Sequence, residues 1–127
     1  MDWMEYTILT TTEGSDLISQ VLMDAGSAVA GCGPAFAAML IEALADGGVA
    51  CGLPRAKAQL YAAQMLLGTA ALALQSGQHP GQLKDAVCSP GGSTIQGVRA
   101  LEARGFRGAA MEAVIAAYDK TLELGKG

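Results

Sequence analysis

The sequence predicts an all-α domain of about six helices, and three observations carry that prediction. Apolar residues recur every three or four positions through most of the chain, the spacing that lines one face of a helix. Glycine and proline gather between those stretches, at Gly31-Cys32-Gly33-Pro34, Gly52-Leu53-Pro54, Gly77 to Gly81, Ser89 to Gly92 and Gly105. There they end one helix and start the next. The β-branched run Tyr6-Thr7-Ile8-Leu9-Thr10-Thr11-Thr12 reads as a lone strand with nothing to pair with, or equally as a tail.

Residues 1–18 therefore stand apart as a tail or remnant, and residues 19–127 form the domain. Ser15 or Asp16 is placed to cap a first helix with Leu17, Val21, Leu22 and Ala25 on its apolar face. Pro34 suits the first turn of a second helix, where its missing N–H costs nothing. Phe36, Met39, Leu40, Ala43, Leu44 and Gly47 give that helix its apolar stripe, and it should end near Gly47-Gly48 or Gly52. Pro54 starts a third. Ala58, Tyr61, Met65, Gly68 and Leu72 lie along one side, with Leu60, Leu67 and Leu74 along others. A helix apolar nearly all round makes contacts on several faces. Gly77 is placed as its C′ residue. A short helix runs from Pro80 to about Val87. Ser93 and Gln96 match a capping box for the next helix, which ends at Gly105 with Leu101 and Phe106 spaced for a Schellman contact. The last helix carries Met111, Val114, Ile115, Tyr118 and Leu122, with Lys120 and Lys126 complementing its dipole.

Composition narrows the function classes. The chain has 127 residues, 51% apolar and 16% charged, with a net charge of −4. That length suffices for one domain. The acidic balance argues against nucleic acid, whose phosphates are bound by basic side chains. Aromatics are only 5%, so small side chains fill the core and each buries little area. Such a chain needs a partner surface, and an oligomer explains its hydrophobicity better than a membrane does. Its apolar runs are broken by Glu42, Asp46, Gln59 and Gln64, short of the ~20 residues of a membrane span. Cys32, Cys51 and Cys88 are odd in number and widely spaced, which fits a reducing cytoplasm rather than a disulfide framework or a zinc site.

Most chemistry-bearing residues read structurally. His79 precedes Pro80 in a turn with no acidic or cysteine partner at ligand spacing, so a surface turn residue is the better reading than a catalytic base. Cys88 has only Lys84 nearby to lower its pKa, which favours a structural thiol. Glu42 and Asp46, four apart, read as a solvated face and not as metal ligands. Lys84-Asp85 reads as a solvent pair. There remains Ser89-Pro90-Gly91-Gly92-Ser93-Thr94-Ile95, a sharp turn that opens a helix. Its glycines allow close backbone approach, its hydroxyls and free N–H groups can hold an anion such as a carboxylate, and the alternative is a plain turn.

Several motifs, in one order from about Gln20 to Gly125, resemble a known family. They are Leu22-Met23-Asp24-Ala25, Gly31-Cys32-Gly33-Pro34-Ala35-Phe36, Ile41-Glu42-Ala43-Leu44-Ala45-Asp46-Gly47-Gly48-Val49, and Gly52-Leu53-Pro54-Arg55. His79-Pro80-Gly81-Gln82-Leu83-Lys84-Asp85, the Ser89–Ile95 stretch, Leu101-Glu102 and Gly105-Phe106-Arg107 continue the series. Together they resemble the C-terminal domain of pyrroline-5-carboxylate reductase, which reduces 1-pyrroline-5-carboxylate to L-proline with NADPH or NADH.

The resemblance implies an intertwined helical homodimer of the 6-phosphogluconate-dehydrogenase C-terminal-domain-like type, often built into larger assemblies. It implies that Ser89, Gly91, Gly92, Ser93 and Thr94 bind the carboxylate of the small cyclic substrate. Thr94 would act near the imine nitrogen, and Gly33 and Pro34 would lie near the nicotinamide. Cys32 and Phe36 depart from the Ser and Tyr usual in that turn. Nothing before Gln20 resembles the family's nucleotide-binding domain, and no Gly-x-Gly-x-x-Gly occurs. The chain alone is therefore expected to hold no nucleotide tightly and to be inactive. The rival reading is a non-catalytic helical oligomerisation module.

Overall fold

The computed structural model describes residues 20–126. Among them run six helices and no strand: α1 Gln20–Ala30, α2 Gly33–Ala50, α3 Arg55–Ser76, α4 Pro80–Val87, α5 Ser93–Ala103 and α6 Phe106–Gly125. The all-α expectation holds. The strand expected at Tyr6–Thr12 and the cap at Ser15 or Asp16 lie outside the described residues. The chain divides into two units, Met39–Phe106 and the remainder on either side of it, with α2 running from one into the other.

In the central unit, α2 turns into α3 through a Schellman end. Leu53 N–H donates to the Gly48 carbonyl at 3.0 Å and Gly52 N–H to that of Val49 at 2.9 Å. Gly52 takes φ +106°, which a side chain would strain. Gly48 matters here for space: a Cβ on it would lie 3.1 Å from Leu53 Cδ1 and 3.4 Å from the Ala58 Cβ. Schellman geometry thus falls at Gly48–Leu53, where the sequence predicts only a helix end. Gly105 likewise takes φ +72° and its N–H donates to the Glu102 carbonyl at 3.1 Å, the counterpart of the Gly52 bond.

Across that corner the helices meet through alanines. Ala45, Ala58 and Ala62 are buried, with Ile41 and Val49 packed against them. Ile41, Ala45, Gly48 and Val49 are the inward stripe of α2. This corrects the expected stripe, from which Met39, Ala43, Leu44 and Gly47 are exposed. On α3 the buried pair is Ala58 and Ala62, while Tyr61, Met65 and Leu72 face out. The reason is steric. Small side chains let two helix backbones approach closely, so the chain packs on its alanine faces and leaves its large apolar faces outward. Asp46 and Arg55 pair across the same corner, both about half exposed. Gly77 ends α3 in the left-handed conformation, as expected.

In the other unit, α1 ends in a turn where Gly31 N–H and Cys32 N–H both donate to the Ser27 carbonyl, at 2.7 and 3.1 Å. Ala28 is buried there. On α6, Ala113, Val114, Ala117, Tyr118 and Thr121 form a half-buried stripe, and Met111, Ile115 and Leu122 are exposed. The last turn of α6 holds no basic residue, because Lys120 lies above it and pairs with Glu123 at 3.4 Å. Of the two lysines expected to complement the dipole, Lys126 follows directly on the helix end and only Lys120 lies short of it.

A further correction concerns length. Leu22–Ala50, which takes in α1, the turn at Gly31-Cys32 and α2, is long enough and apolar enough to cross a membrane by length and composition alone. Only 11% of its most apolar window is buried in this chain.

Candidate functional site

The candidate loop begins where α4 ends. Cys88 N–H donates to the Asp85 carbonyl at 3.1 Å, and the chain leaves the helix in an extended conformation. Gly92 N–H then donates to the Ser89 carbonyl at 3.1 Å, closing a four-residue turn. Pro90 takes its second position and Gly91, at φ +69°, its third. That is the order a type II turn requires, since Pro fixes the first central φ and only glycine takes a positive second one at no cost. Gly92 matters for a different reason: a Cβ there would collide with Ser89 Oγ, which would have to rotate away. The turn is folded so tightly that the serine hydroxyl occupies the space of a side chain.

From this turn α5 starts at Ser93 with Gly92 as N-cap, and no side chain caps it. The expected Ser93–Gln96 capping box is therefore not formed. Gln96 Oε1 instead accepts from Arg99 Nη1 at 3.4 Å. The capping box of this region sits one helix earlier. There Gly81 N–H donates to His79 Nδ1 at 2.9 Å, and His79 N–H donates to Gln82 Oε1 at 3.2 Å. Both patterns have a Gln three residues after a polar residue. Pro80 decides between them, because proline at the first helical position presets the backbone for the box at His79.

Ser89, Gly91, Ser93 and Thr94 are exposed and Gly92 and Ile95 half-buried. The loop thus brings together one turn, two exposed hydroxyls at a helix start, and backbone N–H groups that no side chain among the described residues caps. Such an arrangement can accept a small anion. Gly33 and Pro34 open α2 in the other unit, both half-buried, after a turn closed by Ala35 N–H donating to the Cys32 carbonyl at 3.1 Å. Cys32, Cys51 and Cys88 are free thiols. Lys84 and Asp85 pair at 3.2 Å on the surface, as their sequence reading implied.

The other functional feature is what the helices leave uncovered. Leu60, Tyr61, Leu67 and Leu74 on α3 are 61%, 54%, 64% and 75% exposed. Leu44, Leu53, Tyr61 and Met65 border an open apolar groove of about 310 Å³ in the central unit. Along α6, Ala110, Met111, Val114 and Ile115 border another of about 440 Å³. Each large apolar side chain left in water forgoes roughly 1.5–3 kcal/mol of burial. Faces of this size mark surfaces that another chain covers.

The pyrroline-5-carboxylate reductase dimerisation family matches residues 20–124. This chain belongs to that family. A domain of this family self-associates, which accounts for the uncovered apolar faces of α3 and α6. The Synechocystis pyrroline-5-carboxylate reductase is 58% identical over 109 residues, covering 86% of this chain and 41% of the relative. The Escherichia coli reductase is 46% identical over 112 residues, covering 88% and 42%. The chain thus spans about two-fifths of the length of these relatives. Among solved structures, the Plasmodium falciparum pyrroline carboxylate reductase with NADP bound aligns with TM-score 0.81 and 39% identity, over 85% of this chain and 41% of that one. The Streptococcus pyogenes enzyme aligns with TM-score 0.79 and 40% identity, over 83% and 40%. The resemblance read from the motifs is therefore correct at the level of family and fold.

Proposed function

We propose that this chain supplies the dimer interface and the substrate-carboxylate loop of a pyrroline-5-carboxylate reductase, which reduces 1-pyrroline-5-carboxylate to L-proline. The observation that supports this best is the tight Ser89–Gly92 turn feeding an uncapped helix start with exposed Ser93 and Thr94. In this reading Ser89, Gly91, Gly92 and Ser93 hold the ring carboxylate through hydroxyls and backbone N–H groups. Holding the carboxylate fixes the ring, and a fixed ring presents its C=N carbon in one orientation. The reduction adds a hydride to that carbon and a proton to the imine nitrogen. A reduced nicotinamide, NADPH or NADH, supplies the hydride. Thr94 is the residue assigned to the nitrogen, where its hydroxyl hydrogen-bonds and steers the proton.

The residues described here do not fit a complete nucleotide site. No Gly-x-Gly-x-x-Gly run occurs in residues 1–127, and the half-buried Gly33-Pro34 turn has open space beside Gly33. It is assigned only an edge contact with the nicotinamide. Residues 1–127 by themselves are accordingly expected to hold NADP weakly and to be inactive. The partners proposed are a second copy of the chain and the small cyclic substrate, with no nucleic acid, no membrane and a cytoplasmic location, to which the three free thiols are suited.

The test is a titration of the chain with L-proline while the backbone amides are followed by NMR. Shifts concentrated in residues 89–95 are expected. Shifts elsewhere with that loop untouched would overturn the assignment. The same preparation should oxidise no NADPH in the presence of pyrroline-5-carboxylate, and turnover at ordinary enzyme concentration would sink the expectation of inactivity.

A further inference from the structure

We infer that His79 is a positioning residue for the carboxylate loop, acting through the cap it builds on α4; the inference rests on the function proposed above for residues 89–95. Helix α4 has eight residues and none of them is buried. A helix that short does not hold itself in water, so its ends must hold it. At its start the His79 ring accepts the Gly81 N–H at 2.9 Å, and the Gln82 side chain accepts the His79 N–H at 3.2 Å. The His79 carbonyl accepts from Gln82 at 2.9 Å and from Leu83 at 3.3 Å. Pro80 has no N–H to satisfy. His79 therefore answers the free donors of this helix start almost alone.

The imidazole is fitted to that place. A Cβ on Gly81 would come within 3.0 Å of Nδ1 and 3.4 Å of Cε1, so the glycine leaves room for the ring. Because Nδ1 accepts, the ring proton sits on Nε2. At the other end, the Cys88 N–H closes α4 on Asp85, and the next residue is Ser89, whose carbonyl closes the loop turn on Gly92. The path from the ring to the loop is thus one short helix and one linking residue. A cap that frays releases the helix and, with it, the anchor of Ser89.

The test compares His79→Ala with His79→Asn, since asparagine restores an acceptor at an N-cap. Amide hydrogen exchange and the L-proline response of the Thr94 amide are read on the full 127-residue chain, and ¹⁵N shifts report the ring tautomer. Loss of an N-cap is expected to speed exchange about fivefold, here at Gly81 and also at Gly92, whose N–H closes the loop turn, with a matching loss of proline affinity. His79→Asn should recover most of both. Should His79→Ala fail to fold, Gly81→Ala, which pushes the ring off the helix end, gives the same reading. Exchange changes confined to Gly81 and Gln82, or no recovery with asparagine, would overturn the inference. A wild-type chain that does not answer L-proline would overturn the function proposed for the loop, while the exchange at Gly92 would still decide the role of His79.

Discussion

The corner between α2 and α3 and the segment from His79 to Ile95 sit in one unit and are held in opposite ways. At the corner, backbone approach does the work: Ala45, Ala58 and Ala62 are buried, and Gly48 has no side chain where Leu53 and Ala58 press in. From His79 to Ile95, no residue is buried. That segment keeps its shape through local hydrogen bonds, one positive-φ glycine and two prolines. The contrast separates a part of the molecule built to carry contacts from a part built to present donors. Packing on small residues also explains why the large side chains of α3 face outward, since the alanine faces take the place at the corner.

The contrast can be broken most decisively by the state of association. Light scattering on the purified chain should show a dimer or larger, and a clean monomer would leave the exposed leucines of α3 unexplained. Next in size is Ala58→Leu. Forcing a larger side chain between closely packed helices should cost about 1–3 kcal/mol in denaturant unfolding at fixed protein concentration. An unchanged midpoint would mean that the corner does not depend on close approach. Gly92→Ala should do the reverse, leaving the unfolding midpoint near wild type but weakening L-proline binding about tenfold through a lost charge-assisted bond. Removing the colliding hydroxyl with Ser89→Ala in the same chain should not restore full affinity, because Ser89 is itself assigned to the carboxylate. The smallest effect expected is that of Asp46→Ala. The pair with Arg55 is exposed on both sides, so its loss should cost about 0.5 kcal/mol, and a loss several times larger would show that the ion pair rather than the alanines holds the corner.

Much of this was legible in the residues. Proline and glycine positions gave the helix boundaries closely, because Pro34, Pro54 and Pro80 each restrict the backbone in a way that depends on nothing distant. Gly77, Gly91 and Gly105 take positive φ for the same local reason. The capping box was misplaced because Ser93–Gln96 and His79–Gln82 share a spacing, and the second pair has an imidazole where a hydroxyl or carboxylate is the usual acceptor. The Schellman end at Gly48–Leu53 was passed over because its apolar partner is a glycine face, which a search for two large residues does not find.

Composition, periodicity and motif order determined by themselves that this chain is all-α, where its helices break, which family it joins and which loop to suspect. Those features are local along the chain, and the chain's own chemistry sets them. Only the tertiary structure decided which face of each helix turns inward. On a helix apolar nearly all round, every face looks equally suited to burial. The choice of the alanine face over the leucine face comes from how closely two backbones can approach, a property of the pair of helices and not of either sequence.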